Sequence, residues 1–244
     1  MTSPTLTDAG ASVVIPAYNE ADRIDATVRA AAGIDTIDLV LVVDDGSDDD
    51  TATVARAAGA HVVRTPRNAG KAAAIEHGCA AVADMERTAG VAARPLLFLD
   101  ADLGASAAAA RALLSPVRNG AADVVIATLP AQPGGGRGFV VRLARDGIRQ
   151  ATGFVAAQPL SGQRALTRSA FEAARPLAPG WGIEVGMTID VLRHGFRVVE
   201  VPVEVRHRVT GSDWRAQLHR GRQFWGVWRA LRARGVGPAV PIPR

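Results

Sequence analysis

Two aspartates one residue apart, Asp100 and Asp102, close a short apolar run in the stretch Pro-Leu-Leu-Phe-Leu-Asp-Ala-Asp-Leu-Gly at residues 95–104. The run Leu96-Leu97-Phe98-Leu99 has the length and flanks of a strand buried in a parallel sheet. Open α/β sheets bind ligands at the carboxyl ends of their strands. Two hard oxygen donors at such an end suit Mg²⁺ or Mn²⁺ held against a diphosphate. The same pair also reads as a turn residue followed by a helix cap. The rest of the chain decides between the two.

Further groups stand where the pattern places other strand ends. An apolar run at residues 12–16 leads into Ala17-Tyr18-Asn19-Glu20, where Tyr18 and Glu20 would face the base and ribose of a nucleotide. A second run, 38–43, leads into Asp44-Asp45-Gly46-Ser47. Either carboxylate could accept the imide N–H of uracil or the N–H donors of guanine. The chain's single lysine, Lys71, opens a helix after Asn68-Ala69-Gly70. A cation there opposes the helix dipole, so a nearby anion would explain it. Glu184 follows a Gly-Trp-Gly turn and could deprotonate an acceptor hydroxyl. Ser161, Gly162 and Arg164, with Arg206 and Arg208, would form an acceptor phosphate site, since arginine forks match phosphate oxygens. His207, flanked by those two arginines, should resist protonation, which suits a ligand.

These groups need a scaffold that brings strand ends together, and the periodicity supplies one. Strands are expected at 12–16, 38–43, 61–64, 95–99 and 123–127, with helices at 22–32, 51–58, 71–84 and 106–117 between them. Such alternation implies a doubly wound, mainly parallel α/β sheet with helices on both faces. Beyond residue 128 the pattern changes. A Pro/Gly-rich loop at 130–138 precedes a helix at 139–152, a strand at 161–166, helices at 169–174 and 183–193, and a strand at 197–205. A basic amphipathic helix at 213–234 closes the regular structure.

The nucleotide-binding plan can be narrowed. No Gly-x-Gly-x-x-Gly follows the first strand and no Gly-x-x-x-x-Gly-Lys-Ser/Thr loop occurs, which argues against a dinucleotide fold and a P-loop. A nucleotidyltransferase would also want a Gly-rich first loop. Instead, Val14-Ile15-Pro16-Ala17-Tyr18-Asn19-Glu20, Val43-Asp44-Asp45-Gly46-Ser47, Asn68-Ala69-Gly70-Lys71 and Asp100-Ala101-Asp102 occur in that order over residues 11–128. This series resembles the signature of family 2 glycosyltransferases of the GT-A fold. Ser161-Gly162-Gln163-Arg164, Gly180-Trp181-Gly182-Ile183-Glu184 and Arg206-His207-Arg208 resemble two branches of that family. One is the polyprenyl-phosphate sugar transferases of the dolichyl-phosphate mannose synthase type, and the other is the glucosyl-3-phosphoglycerate synthases.

The resemblance implies a metal-dependent transfer of a sugar from a nucleoside diphosphate of the UDP or GDP type to a phosphate-bearing acceptor. It makes Pro16, Ala17, Tyr18, Glu20, Asp44, Asp45, Lys71, Asp100 and Ala101 contacts of the nucleotide sugar and singles out Asp45 for the base. It makes Asp100, Asp102 and His207 the ligands of Mg²⁺ or Mn²⁺. Common family members carry an adjacent Glu-Asp pair where this chain has Glu184-Val185. A phosphate monoester, already anionic near neutral pH, would need no base. A retaining transfer would also lack one, so the stereochemistry stays open.

Composition bounds the remainder. The 244 residues suit one domain, and 48% apolar content is enough for a full core. One domain would then hold a nucleotide-sugar part at 11–128 and an acceptor part at 129–211. A helix at 212–234 and disordered tails at 1–10 and 235–244 would flank it. One cysteine excludes an intramolecular disulfide and a cysteine metal cluster. The amino terminus lacks a signal-peptide pattern, which points to the cytoplasm. A formal charge of +4, with arginine dominant after Arg137, fits an anionic partner but carries no nucleic-acid recognition motif. Tryptophan and arginine along residues 214–234 suggest the inner face of a membrane, docking on the catalytic domain, or a homodimer. The lipid reading favours polyprenyl phosphate slightly over a soluble metabolite such as 3-phosphoglycerate. A non-catalytic sugar-nucleotide-binding module is the alternative outside enzymes.

Overall fold

A computed structural model describes residues 6–7, 10–130, 138–205 and 214–237, with side chains except at 214–220. Among these residues seven strands form one sheet: β1 (Ala11–Ala17), β2 (Ile37–Asp44), β3 (His61–Arg64), β4 (Leu96–Phe98), β5 (Val124–Thr128), β6 (Arg164–Leu166) and β7 (Val198–Pro202). Their order across the sheet is β3-β2-β1-β4-β6-β5-β7. β1 is parallel to β2 and β4, β2 to β3, and β5 to β7. β6 runs antiparallel to both β4 and β5. The expected strand at 161–166 therefore begins later, and its direction was not legible in its composition.

The helices are α1 (Ile24–Ala32), α2 (Thr51–Ala57), α3 (Lys71–Ala89), α4 (Arg111–Arg118), α5 (Phe139–Thr152), α6 (Arg168–Ala173), α7 (Ile183–Arg193) and α8 (Trp214–Ala233). α3 runs past the expected residue 84. The helix expected at 106–117 starts as a 3₁₀ stretch, Gly104–Ala110, before α4. The sheet is covered on both faces, which is why its central strands read as continuous apolar runs. Val13 and Ile15 point to the layer holding Val28, Leu113 and Leu114. Val14, on the opposite face, meets Ile75, Val82 and Phe171.

α8 docks on the protein itself. Val227 and Leu231 join Leu143, Ile148, Val185 and Ile189 in a third cluster between α5, α7 and α8. The approach is close: a Cβ on Gly147 would lie 2.4 Å from Leu231 Cδ2. Arg234 Nε donates to Asp190 Oδ1 at 2.8 Å and secures the helix end. Of the three roles expected for this helix, docking holds for its described second half. Trp225 stays 58% exposed. Parts of the expected tails are also packed. Leu6 and Val236 are buried, and the Thr7 N–H donates to Asp38 Oδ2 at 2.9 Å.

At the amino-terminal edge of the sheet a charged cluster is buried. Arg94 Nη2 donates to Ser12 Oγ at 2.6 Å and its Nε to Glu86 Oε1 at 3.2 Å. Arg168 Nη2 reaches Glu86 Oε2 at 2.9 Å, and Arg94 also pairs with Asp38.

Candidate active site at the carboxyl ends of the strands

Parallel register brings the chemistry together. Ala17 pairs with Asp44 and Val14 with Phe98, so the segments leaving β1, β2 and β4 emerge along one edge. β6 enters from that same edge because it is antiparallel. Phe98 pairs with Arg164, which puts Gly162 and Gln163 beside the turn after β4.

Asp100 stands two residues beyond β4. Its Oδ1 is 2.8 Å from Lys71 Nζ, and its Oδ2 accepts from Gln163 Nε2 at 2.6 Å. Lys71 Nζ also donates to Glu184 Oε1 at 2.9 Å. The first residue of α3 thus bridges carboxylates from β4 and from the first turn of α7. Burial alone would lower the pKa of the Lys71 ammonium. The charges of Asp100 and Glu184 overcome that and hold it above its ordinary value, so the group stays charged. Gly162 makes the pair sterically feasible, since a Cβ there would lie 2.5 Å from Nζ and 3.1 Å from each Asp100 oxygen.

α1 fixes the Asp100-Ala101-Asp102 turn through its backbone. Thr27 Oγ1 donates to the Ala101 carbonyl and accepts from Gly104 N–H, both at 2.8 Å. Arg23 Nη1 donates to the Asp102 carbonyl at 3.2 Å.

The loops that leave β1 and β2 are stitched to one another. Asn19, in the left-handed region at φ 55°, donates its N–H to Ser47 Oγ at 2.9 Å, and its Oδ1 accepts from Asp48 N–H at 2.9 Å. Glu20 N–H donates to Thr51 Oγ1 at 2.8 Å. Pro16 and Ala17 end β1, and Tyr18 beside them is 43% exposed. Asp44 is buried: its Oδ1 accepts from Ser47 N–H at 2.9 Å, and its Oδ2 lies 3.3 Å from Arg64 Nε without hydrogen-bond geometry. Asp45 accepts from Ala69 N–H at 3.0 Å, from Gly70 N–H at 2.7 Å and from Thr65 Oγ1 at 3.0 Å. Its carboxylate therefore holds the loop that presents Lys71.

Arg164 departs from the role expected for it. β6 is an inner strand, covered on both faces, and Arg164 is 1% exposed. Its Nε donates to the Ser161 carbonyl at 2.9 Å and its Nη1 to Thr188 Oγ1 at 2.9 Å. Thr188 in turn donates to the Glu184 carbonyl at 2.7 Å. Burial pulls the guanidinium pKa down to about 10, against the charges of Glu184 and Glu200. The residue ties the loop before β6 to α7 from below, and its geometry is that of a support rather than an open phosphate fork. Ser161 is buried with it. Arg206, His207 and Arg208 lie outside the described residues.

The donor set fits a hard divalent cation. Asp100 carries carboxylate oxygens at a ligand edge, and an ammonium already stands against it as an internal cation. Among the described residues no three His, Cys, Asp or Glu side chains converge, so Asp100 and Asp102 would share a metal with donor phosphates and water. A cavity of about 410 Å³ lined by Ile34, Thr36, Arg111, Leu114 and Arg118 lies by the amino ends of β2 and β5, away from this chemistry.

Residues 12–173 match the sequence profile described as Glycosyl transferase family 2. The chain belongs to that family. It is 32% identical to the glycosyltransferase AglJ of Haloferax volcanii over 205 residues, covering 82% of this chain and 64% of the relative. It is 31% identical to the glucosyl-3-phosphoglycerate synthase of Mycobacterium tuberculosis, covering 73% of this chain and 60% of that one. The chain thus spans somewhat under two thirds of the length of these family 2 relatives. A crystal structure of the M. tuberculosis synthase with Mn²⁺, UDP and phosphoglyceric acid superposes with a TM-score of 0.76 at 26% identity, covering 95% of this chain and 80% of that one. Another, with Mg²⁺ and UDP, gives 0.75 at 27% identity, covering 95% and 81%. The sheet is that of the GT-A fold of these synthases. The likeness to dolichyl-phosphate mannose synthase rests on the sequence motifs alone.

Sequence reasoning passed over several residues of this family 2 site. Gln163 was read only as part of the Ser161–Arg164 acceptor phosphate motif, and a neutral amide gave no reason to place it on Asp100. Thr27 and Arg23 act through backbone carbonyls distant in sequence, and nothing in their local pattern signals that.

Proposed function

We propose that the chain is a metal-dependent glycosyltransferase that moves a sugar from a nucleoside diphosphate sugar to a phosphate-bearing acceptor. The observation that carries this is Asp100, held at the carboxyl end of β4 by Lys71 and Gln163 among loops suited to a nucleotide. Tyr18, Glu20 and Asp45 would take the base and ribose, and the UDP bound in the matching synthase structures favours UDP for it. Asp100 and Asp102 would hold Mg²⁺ or Mn²⁺, with His207 as a further ligand. The metal would offset the charge that develops on the departing nucleoside diphosphate. Lys71 would supply a second positive charge beside the same phosphates. Oε1 of Glu184 is engaged by Lys71, so that oxygen is not open to an acceptor hydroxyl.

For the acceptor, a small soluble phosphorylated metabolite such as 3-phosphoglycerate now leads. The synthase relatives support it. Leu231 and Trp228, two of the apolar residues of α8 that suggested a lipid surface, also pack inside the protein in the cluster with α5 and α7. Polyprenyl phosphate remains a second reading, favoured by exposed Trp225 between exposed Arg222 and Arg229 on α8.

The test is a donor screen with Mn²⁺ or Mg²⁺, following nucleoside diphosphate release with and without each acceptor. Transfer is expected to fall about 10³-fold in Asp100→Ala and Asp102→Ala while the melting transition persists. Transfer that survives both substitutions would sink the reading. Donor binding without transfer to any acceptor would leave the binding-module alternative.

A further inference from the structure

We propose that Lys71 and the divalent cation compete for Asp100, and that Lys71 exchanges Asp100 for the donor's diphosphate when metal and donor arrive together. The inference rests on the transferase reading above and assigns Lys71 a role beyond that of a static phosphate contact.

Three observations carry it. Lys71 Nζ lies 2.8 Å from the Oδ1 of Asp100, the position of a bound cation rather than of a distant phosphate clamp. A metal on that oxygen would stand close against the ammonium, and like charges at that range repel. Second, Lys71 can leave Asp100 without losing every partner. Its other contact, Glu184 Oε1 at 2.9 Å, is on α7 and is no part of the proposed metal shell. A lysine head group is a mobile point charge on a four-carbon stem, able to swing about one retained contact. Third, the space is specific to this exchange. Gly162 leaves the room that Nζ fills, and Gln163 holds the second Asp100 oxygen at 2.6 Å, so the carboxylate stays aimed while its cation changes.

Exchange has a thermodynamic signature. Metal alone must displace an ammonium and binds weakly. Metal with a nucleoside diphosphate gives the ammonium a new anion and binds well. Each ligand then raises the affinity of the other by the same factor.

Lys71 is the only lysine in the chain, so an amine-selective reagent read by mass spectrometry reports on it apart from the terminal amine. In the full-length wild type, Mn²⁺ alone is expected to raise the Lys71 labelling rate about threefold by freeing Nζ from Asp100. Mn²⁺ with UDP should lower it below the rate of the protein alone. In Lys71→Met, Mn²⁺ binding without nucleotide, followed by electron paramagnetic resonance, should tighten about tenfold. UDP binding in the presence of Mn²⁺ should weaken about tenfold. A lysine that merely shapes the site would weaken both. Equal or weaker Mn²⁺ binding by a folded Lys71→Met protein overturns the exchange. If that variant does not fold, a wild-type labelling rate indifferent to bound Mn²⁺ overturns it instead. Failure of Mn²⁺ and UDP to bind the wild type at all would sink the transferase reading itself, whereas their binding with unmoved Lys71 labelling sinks only the exchange.

Discussion

Asp45 holds Ala69 N–H, Gly70 N–H and Thr65 Oγ1 with one carboxylate, so its first duty is to the loop that carries Lys71. Hydrogen bonds to a charged group are worth roughly 1.5–3 kcal/mol each, but the donors regain water when the carboxylate is removed. Asp45→Ala is therefore expected to lose about 3 kcal/mol in urea unfolding, and UDP affinity about tenfold by calorimetry. Unchanged stability would show that the loop holds itself. The aspartates at strand ends were legible because the type of a residue and its place after an apolar run are both local. Whether such a carboxylate faces a ligand or a backbone amide is not local. It depends on where the segment around Ala69 returns, some two dozen residues away. Arg164 shows the same limit: the sequence announces a charge, and only the crowding of an inner strand turns it inward.

Among the elements, α8 and the buried charge cluster make the sharpest demands. A Cβ at Gly147 meets Leu231, a packed side chain with little room to yield. Overpacking of this kind costs about 1–3 kcal/mol. Gly147→Ala should loosen α8, seen as faster amide hydrogen exchange over residues 224–236 with β1 and β4 still protected. UDP binding should persist, since α5 and α8 do not carry the nucleotide loops. At the other edge of the sheet, Glu86 neutralises Arg94 and Arg168, with side-chain exposures of 4%, 0% and 12%. Removing one partner of such a group costs about 3–5 kcal/mol. Glu86→Gln should lower stability by that order in denaturant unfolding, and a loss under about 1 kcal/mol would show that water reaches the arginines. Nothing in the sequence predicted this cluster, because Glu86 falls beyond the helix expected at 71–84 and reads as one more polar residue.

For the molecule as a whole, the order of strands and helices through β5 was readable from alternation alone, and the later half only in part. No helix among the described residues is long and apolar enough to cross a membrane. A peripheral contact through α8 would use its outer stripe, where Arg232 lies 5.3 Å over the ring of Trp228 and Trp225 stands exposed. If that stripe serves a lipid surface, the protein should float with vesicles containing anionic lipid, and Trp225→Ala should abolish flotation without changing transfer to a soluble phosphate. Absence of flotation in the wild type removes the lipid version and leaves the soluble acceptor.

The antiparallel inner strand β6 also sets a timetable. β4 and β5 are made first, and they are joined through β6, whose residues follow some three dozen positions after β5. While the chain is being synthesised, the first four strands can assemble, but the fifth has no neighbour to join until the sixth has left the ribosome. The catalytic edge is thus one of the last parts of the molecule to exist: Asp100 is made early and waits for Gly162 and Gln163 to arrive. A nascent chain arrested before residue 164 would hold the loops after β1 and β2 without a completed sheet, and a chaperone guarding exposed β5 would be most needed in that interval.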